Sequence, residues 1–226
     1  MDIIIGSSRA RNLGKGFSTF DVETWFQPGV KISQMHKLVD DHIMFHLPGY
    51  IYPLEKNFLY VVCGICDITC KVKNYRENYQ EIIYLQDPVE NVSGMKVDIQ
   101  NLAKYAQQNS LIPVISTIIP VHLEKANLYL LDNGKTSCLR HSHEYHSMNE
   151  QILSVCQDIN SFIKEFNETN NVNTPDLCRT VYHNKTNGKK YFKHSQLYDG
   201  VHPDHDLTNR LNKVIKLTIE NNRKSN

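Results

Sequence analysis

Short apolar runs closed by glycine alternate along this chain with longer stretches whose apolar residues recur at helical spacing. The first run, Asp2–Ile5, is three isoleucines ended by Gly6, the pattern of a strand buried on both faces. Glu23–Phe26 repeats it and stops at Pro28-Gly29, Asn57–Val62 repeats it and stops at Gly64, and Leu111–Ile119 makes a fourth. Leu177–Tyr182 reads as a weaker fifth strand. Between these runs, Lys31–Asp41 carries Ile32, Met35, Leu38 and Val39, and Met95–Gln108 carries Val97, Ile99, Leu102, Ala103 and Ala106. Both spacings predict amphipathic helices. Met148–Phe166 is the longest predicted helix, Asp206–Glu220 the last, and Ser8–Leu13 a short helical segment behind the first strand. Strands alternating with helices predict an α/β fold whose parallel sheet is covered on both faces.

The chain has 226 residues, enough for a single α/β domain with a sizeable core. That domain is placed at 1–222, with a basic tail at 223–226. The tail and the Asn-rich stretch Asn167–Asn173 are the segments expected to be mobile. The charges nearly cancel, 25 Lys and Arg against 24 Asp and Glu, and no basic face or aromatic stacking motif stands out. A nucleic-acid partner is therefore not expected. The longest apolar runs are too short to span a bilayer, so no transmembrane segment is expected. No signal-peptide pattern opens the chain. Its six cysteines read as reduced thiols, which points to a cytoplasmic setting.

In an open parallel sheet, ligands bind outside the carboxyl ends of the strands. The residues there are Gly6-Ser7-Ser8 after the first strand, Gln27-Pro28-Gly29 after the second and Gly64-Ile65-Cys66-Asp67 after the third. "LYDGVHPDHD" before the last helix adds Asp199 and His202. A serine hydroxyl becomes a useful nucleophile when an imidazole takes its proton and a carboxylate orients that imidazole. Ser8, His202 and Asp199 are the residue types for that chemistry, and backbone N–H groups at Ser8 and Gly29 suit an oxyanion. Each piece also has a structural reading. Ser7 and Ser8 can be helix-capping residues, and Asp199 and His202 another turn and helix start, with Asp204 an equally good capping candidate.

Taken together, the four blocks resemble the SGNH (GDSL-type) hydrolase superfamily, especially the SGNH-like domains of animal retroelements and viruses. They stand in the family's order and are spread over the whole chain. The Gly-Asp-Ser turn of the family is Gly6-Ser7-Ser8 here, which maps the nucleophile to Ser8. Its second glycine, an oxyanion donor, maps to Gly29, and its Gly-x-Asn-Asp block to Gly64-Ile65-Cys66-Asp67. Its Asp-x-x-His block is intact as Asp199-Gly200-Val201-His202. The resemblance implies a flavodoxin-like three-layer α/β/α sandwich, with a parallel sheet of about five strands, and hydrolysis of esters without metal or cofactor.

Two residues depart from the pattern. Ser7 replaces an aspartate that mostly shapes the turn. Cys66 replaces an asparagine whose amide is a good oxyanion donor, and a thiol is a weak one. Losing one such donor costs about 10²–10³ in rate, so slow turnover is expected unless another polar group such as Asn74 substitutes.

The resulting expectation is a slow serine esterase acting on acetyl-type esters of a carbohydrate, lipid or small molecule. The alternative is a catalytically weak module that binds a glycan, lipid or protein partner. Arg9 is placed on a substrate's acidic group or at the surface, and Ser116 and Thr117 along the pocket or in strand-end packing. The thiols Cys63, Cys66 and Cys70 and the loop residues His141, His143 and His146 match no strong zinc spacing.

Overall fold

The computed structural model describes residues 2–15, 17, 21–46, 56–74, 79–84, 88–184 and 190–225. The chain runs β1 (Asp2–Gly6), a 3-10 turn at Ser8–Asn12, β2 (Val22–Phe26), a second such turn at Ile32–Gln34 and α1 (Met35–His46). It continues through β3 (Asn57–Val62), a single helical turn α2 (Ile65–Ile68), β4 (Thr69–Asn74), β5 (Tyr79–Tyr84), α3 (Pro88–Gln108) and β6 (Leu111–Ile115). Then come α4 (Leu123–Asp132), α5 (Ser142–Thr169), β7 (Tyr182–Asn184), β8 (Lys190–Phe192) and α6 (His205–Lys224).

The central sheet has the order β2-β1-β3-β6 and all its pairings are parallel. Side chains alternate across it with the period of a strand. Ile3, Ile5, Leu59 and Val61 enter one core with Met35 and Val39 of α1, Ile99 of α3, and Ile152 and Ile159 of α5. Ile4, Phe58, Tyr60 and Val114 enter the other with Leu207, Leu211 and Ile215 of α6. This is the three-layer arrangement expected, and the four strands found among the described residues follow the flavodoxin order. The strand order reverses between β1 and β3, which opens a crevice above their carboxyl ends.

The fifth strand is the main departure. Residues Cys178–Val181 form a 3-10 turn, and Tyr182 starts a separate antiparallel hairpin with β8. Pro175 has no N–H to offer a ladder, and the Cys178 N–H is taken instead by Thr117 Oγ1 at 2.8 Å. Asparagines on α5 supply what that strand would have given the free edge of β6. Asn167 accepts from the Ile115 N–H at 3.1 Å and donates to its carbonyl at 2.6 Å. Asn160, two helical turns earlier, does the same for Ile118 at 2.6 and 2.9 Å. Each amide therefore mimics one peptide unit of a neighbouring strand.

The Asn-rich stretch is thus anchored rather than mobile, with Asn167 wholly buried. Nor are Arg223 and Lys224 a free tail: α6 continues to Lys224, and Arg223 Nε lies 2.9 Å from the wholly buried Asp2 carboxylate. Several elements escape the sequence reading: the β4–β5 hairpin, α2, α4, β8, the first two turns of α3, and the start of α5, which takes in the expected loop residues His143 and His146. The hairpin is held by Asn127 of α4, which bonds both the N–H and the carbonyl of Ile82. The buried Glu81 adds contacts to Arg140 Nε at 2.6 Å and to Tyr145 Oη at 3.1 Å.

Candidate active site

β1 delivers Ser7 and Ser8 at the crevice. Ser7 is the N-cap of the 3-10 turn but makes no side-chain cap bond. Ser8 Oγ lies 2.8 Å from His202 Nε2, across the full length of the chain. His202 Nδ1 lies 2.7 Å from Asp199 Oδ2. Two backbone N–H groups, of Val201 at 2.9 Å and His202 at 2.6 Å, donate to Asp199 Oδ1. Burial pushes the Asp199 carboxyl up, but hydrogen bonds from the His202 ring and backbone outweigh it and hold the group below its ordinary range. Asp199 is therefore an ionised acceptor at neutral pH. It requires the proton on Nδ1, which leaves the Nε2 lone pair for the Ser8 hydroxyl. Asp204, in contrast, caps α6 by accepting from the Leu207 N–H at 2.7 Å. The capping role that Asp199 and His202 could have filled belongs to that residue.

The turn carrying Asp199 and His202 is held from below. Gly200 has φ +78, its carbonyl accepts from the His122 N–H at 2.9 Å, and a Cβ on it would lie 2.4 Å from the Ala126 nitrogen. Gly200→Ala must strain the backbone and push the turn off α4. Displacements of about 1 Å in a catalytic group can cost about 10²-fold in rate. That loss of turnover, with a lowered melting temperature by circular dichroism, is the expected result for this variant.

Arg9 is 8% exposed. Its guanidinium donates to three backbone carbonyls, of Val201 at 2.9 Å, Pro120 at 3.2 Å and Ile119. Burial lowers its pKa to about 10, so it stays a cation. The expectation of a substrate contact gives way to a clamp that ties the Asp199–His202 turn to the loop after β6. Ser116 and Thr117 are buried as well. Ser116 Oγ donates to the Val61 carbonyl at 2.8 Å, and Thr117 Oγ1 donates to Asp176 Oδ1 at 3.1 Å. Both are strand-end packing. Ser7 is equally buried. Its Oγ has no hydrogen-bond partner among the described residues, and it lines a void of ≈10 Å³ together with Arg9, Ser116 and Thr117.

The second and third blocks meet the first at its side. The Gln27 N–H donates to the Gly6 carbonyl at 3.0 Å, and the Val30 N–H closes a turn on the Gln27 carbonyl at 3.2 Å. Gly29 sits in that turn at φ +78, exposed. Cys66 and Asp67 lie in α2, directly after β3. Cys66 is partly buried, and burial raises its pKa above the ordinary thiol value although Arg9 pulls the other way. It is a thiol at neutral pH, not a thiolate nucleophile. Asp67 is buried, and its carboxylate oxygens lie 3.1 and 3.4 Å from the Ile32 nitrogen. The Asn74 side chain lies outside the described residues.

One residue of the site carries no sequence signal. Tyr198, 55% exposed, stacks on the His202 ring at 5.9 Å between centroids, and Tyr129 meets Tyr198 edge-on at 6.2 Å. Tyr198 and Pro203 also border an open groove of ≈640 Å³ lined by Asn12, Lys15, His205 and Asn209. Among the described residues no three His, Cys, Asp or Glu side chains gather to hold a metal ion. No described helix is long and apolar enough to cross a membrane.

No family model and no curated protein matches this sequence. Solved structures do match its fold. A candidate acylhydrolase from Bacteroides fragilis superposes with a TM-score of 0.60 at 13% identity, covering 97% of this chain and 86% of its own. A candidate lipolytic protein of the G-D-S-L family from Desulfitobacterium hafniense gives 0.58 at 9% identity, with 96% and 98% covered. The acetyl xylan esterase AlAXEase gives 0.57 at 13% identity, with 97% and 100% covered. The chain has the SGNH-hydrolase fold.

Proposed function

We propose that this protein is a serine esterase of the SGNH type, hydrolysing acetyl-type esters of a carbohydrate, lipid or small molecule. The observation that carries the reading is the Ser8–His202–Asp199 relay, with contacts of 2.8 and 2.7 Å between residues 194 and 3 positions apart. In this reading Ser8 Oγ attacks the acyl carbon while His202 Nε2 takes its proton. The tetrahedral intermediate collapses as the imidazolium returns that proton to the departing alcohol. Water, deprotonated by His202, then attacks the acyl-enzyme and releases the acid and Ser8. Asp199 holds the ring and stabilises its cation. The N–H groups of Ser8 and Gly29 face the oxyanion, with the Cys66 thiol as a weak third donor. The polar groove beside Tyr198 suits the alcohol half of a hydroxyl-rich ester.

The test is hydrolysis of p-nitrophenyl acetate and butyrate, with fluorophosphonate labelling of Ser8 as a second readout. Cys66→Asn restores an amide donor where the thiol stands, and its kcat is expected to rise by about 10-fold or more. An unchanged or lower kcat in that variant would remove Cys66 from the oxyanion site. The second reading, a catalytically weak binding module, draws its support from Cys66 itself. Wild-type turnover no faster than Ser8→Ala would select it.

A further inference from the structure

Asp67 is a buried carboxylate that the relay does not use. It stands on α2, one residue after Cys66, and is 9% exposed. Besides a bond to its own backbone N–H, its carboxylate reaches the Ile32 N–H at 3.1 and 3.4 Å. Ile32 is the first residue of the turn that ends the Gly29–Lys31 segment. At its other end that segment is fixed by the Gln27 N–H on the Gly6 carbonyl at 3.0 Å. Between those anchors Gly29 is exposed, and among the described residues nothing lies within 4 Å of where its Cβ would be. Gly29 itself has no such packing; its place is set by its neighbours, Val30 buried in the core on one side of the sheet and Ile32 held by Asp67.

We propose that Asp67 is the positioning residue of the oxyanion site, its carboxylate fixing the Gly29–Ile32 segment against the Cys66 turn so that the Gly29 N–H faces the Ser8 acyl carbon. This rests on the esterase reading of Ser8 and His202 and adds to it a dependence on pH. Burial is the largest influence on Asp67 and pushes its pKa up to about 7, against the Ile32 N–H and the Lys31 cation, which pull it down. Asp98 of α3 faces it as a like charge and pushes the same way as burial. The thiols of Cys63 and Cys66 flank it, both kept protonated by burial. A carboxylate bonds an N–H about twice as strongly as a neutral acid does. The segment is therefore held loosely below about pH 7 and tightly above it.

The stability consequence has the opposite sign. The folded pKa lies above the unfolded value of 3.8, so the unfolded chain sheds this proton first. The contribution of Asp67 to stability is fully present below the unfolded value and is lost as pH rises to about 7. Ionisation costs the fold something and tightens the site.

The experiment compares wild type, Asp67→Ala and Asp67→Asn with p-nitrophenyl acetate across pH, alongside amide hydrogen exchange. Asp67→Ala is expected to lower kcat by about 10- to 100-fold with KM changed less than about twofold. It should also speed exchange in peptides covering Gly29–Ile32 while the central sheet stays protected. Asp67→Asn keeps an acceptor for Ile32 but cannot ionise. It should match wild type below about pH 6 and fall about 3- to 10-fold behind it above about pH 8. The ratio of the two rates cancels whatever pH dependence the two proteins share. Wild-type turnover accompanied by an Asp67→Asn ratio flat with pH would overturn this assignment alone. So would an Asp67→Ala variant that loses stability but keeps kcat at a temperature where it is folded. Wild-type turnover equal to that of Ser8→Ala would overturn the esterase reading and this role with it.

Discussion

Ser8→Ala is expected to lower the turnover of p-nitrophenyl acetate by about 10³-fold or more, roughly 4 kcal/mol of transition-state stabilisation. His202→Ala should do the same. The double variant should be no slower than either single one, because nucleophile and base act as a unit and removing one idles the other. Asp199→Asn belongs to the same set. It would accept the Val201 and His202 N–H groups yet favour the wrong imidazole tautomer, for a loss of about 10²–10⁴. Ser7→Ala is the internal control. Its hydroxyl is buried and bonds none of the described residues, so turnover should stay within about twofold of wild type. Steady-state rates for the five variants decide the matter. A Ser8→Ala protein as active as wild type, or a Ser7→Ala protein as dead as Ser8→Ala, would place the nucleophile elsewhere.

The second large effect falls on stability, at the edge of the sheet. Asn167→Leu leaves the Ile115 N–H and carbonyl without partners inside the protein, where water does not reach Asn167. A buried polar group left unsatisfied costs about 1–3 kcal/mol, and two of them sum to about 4 kcal/mol. For a chain of this length that lowers Tm by about 8–16 °C. Asn160→Leu should cost a similar amount at Ile118, and the pair together should leave little folded protein. Ser161→Ala, on the exposed face of the same helix, is expected to stay within about 0.5 kcal/mol of wild type. Thermal melts by circular dichroism read both. An Asn167→Leu melt within about 2 °C of wild type would mean that the edge is closed by some other group.

The central sheet was legible because its signal is local. Ile3, Ile4 and Ile5 are buried on two faces at once, so they form an unbroken apolar run that a turn residue must end. The helices facing it, Ile32 to Val39 and Ile99 to Ala106, announce one buried side by their spacing, although Val97, which the same spacing includes, lies exposed on the outer face of α3. The hairpin Thr69–Asn74 with Tyr79–Tyr84 was missed. Its polar content is paired by partners far away in the chain, Asn127 for Ile82 and Arg140 for Glu81. The fifth strand failed for a related reason: Leu177–Tyr182 has the composition of a strand, but Pro175 and the side chains of Thr117 and Asp176 take its backbone elsewhere.

The site divides in the same way. Sequence alone determined the four strands of the central sheet, the turns after them, the helices around it at Met35, Ile99, Ile152 and Leu207, and the residue types of the nucleophile, base and carboxylate, because these follow from local periodicity and short motifs. Only the tertiary structure decided that Ser8 meets His202 at 2.8 Å, that Arg9 clamps carbonyls instead of facing solvent, and that Asn160 and Asn167 stand in for a strand. Those outcomes depend on which distant backbone group a polar side chain finds once it is buried. A polar residue in a sequence declares what it can bond, and the fold decides with whom.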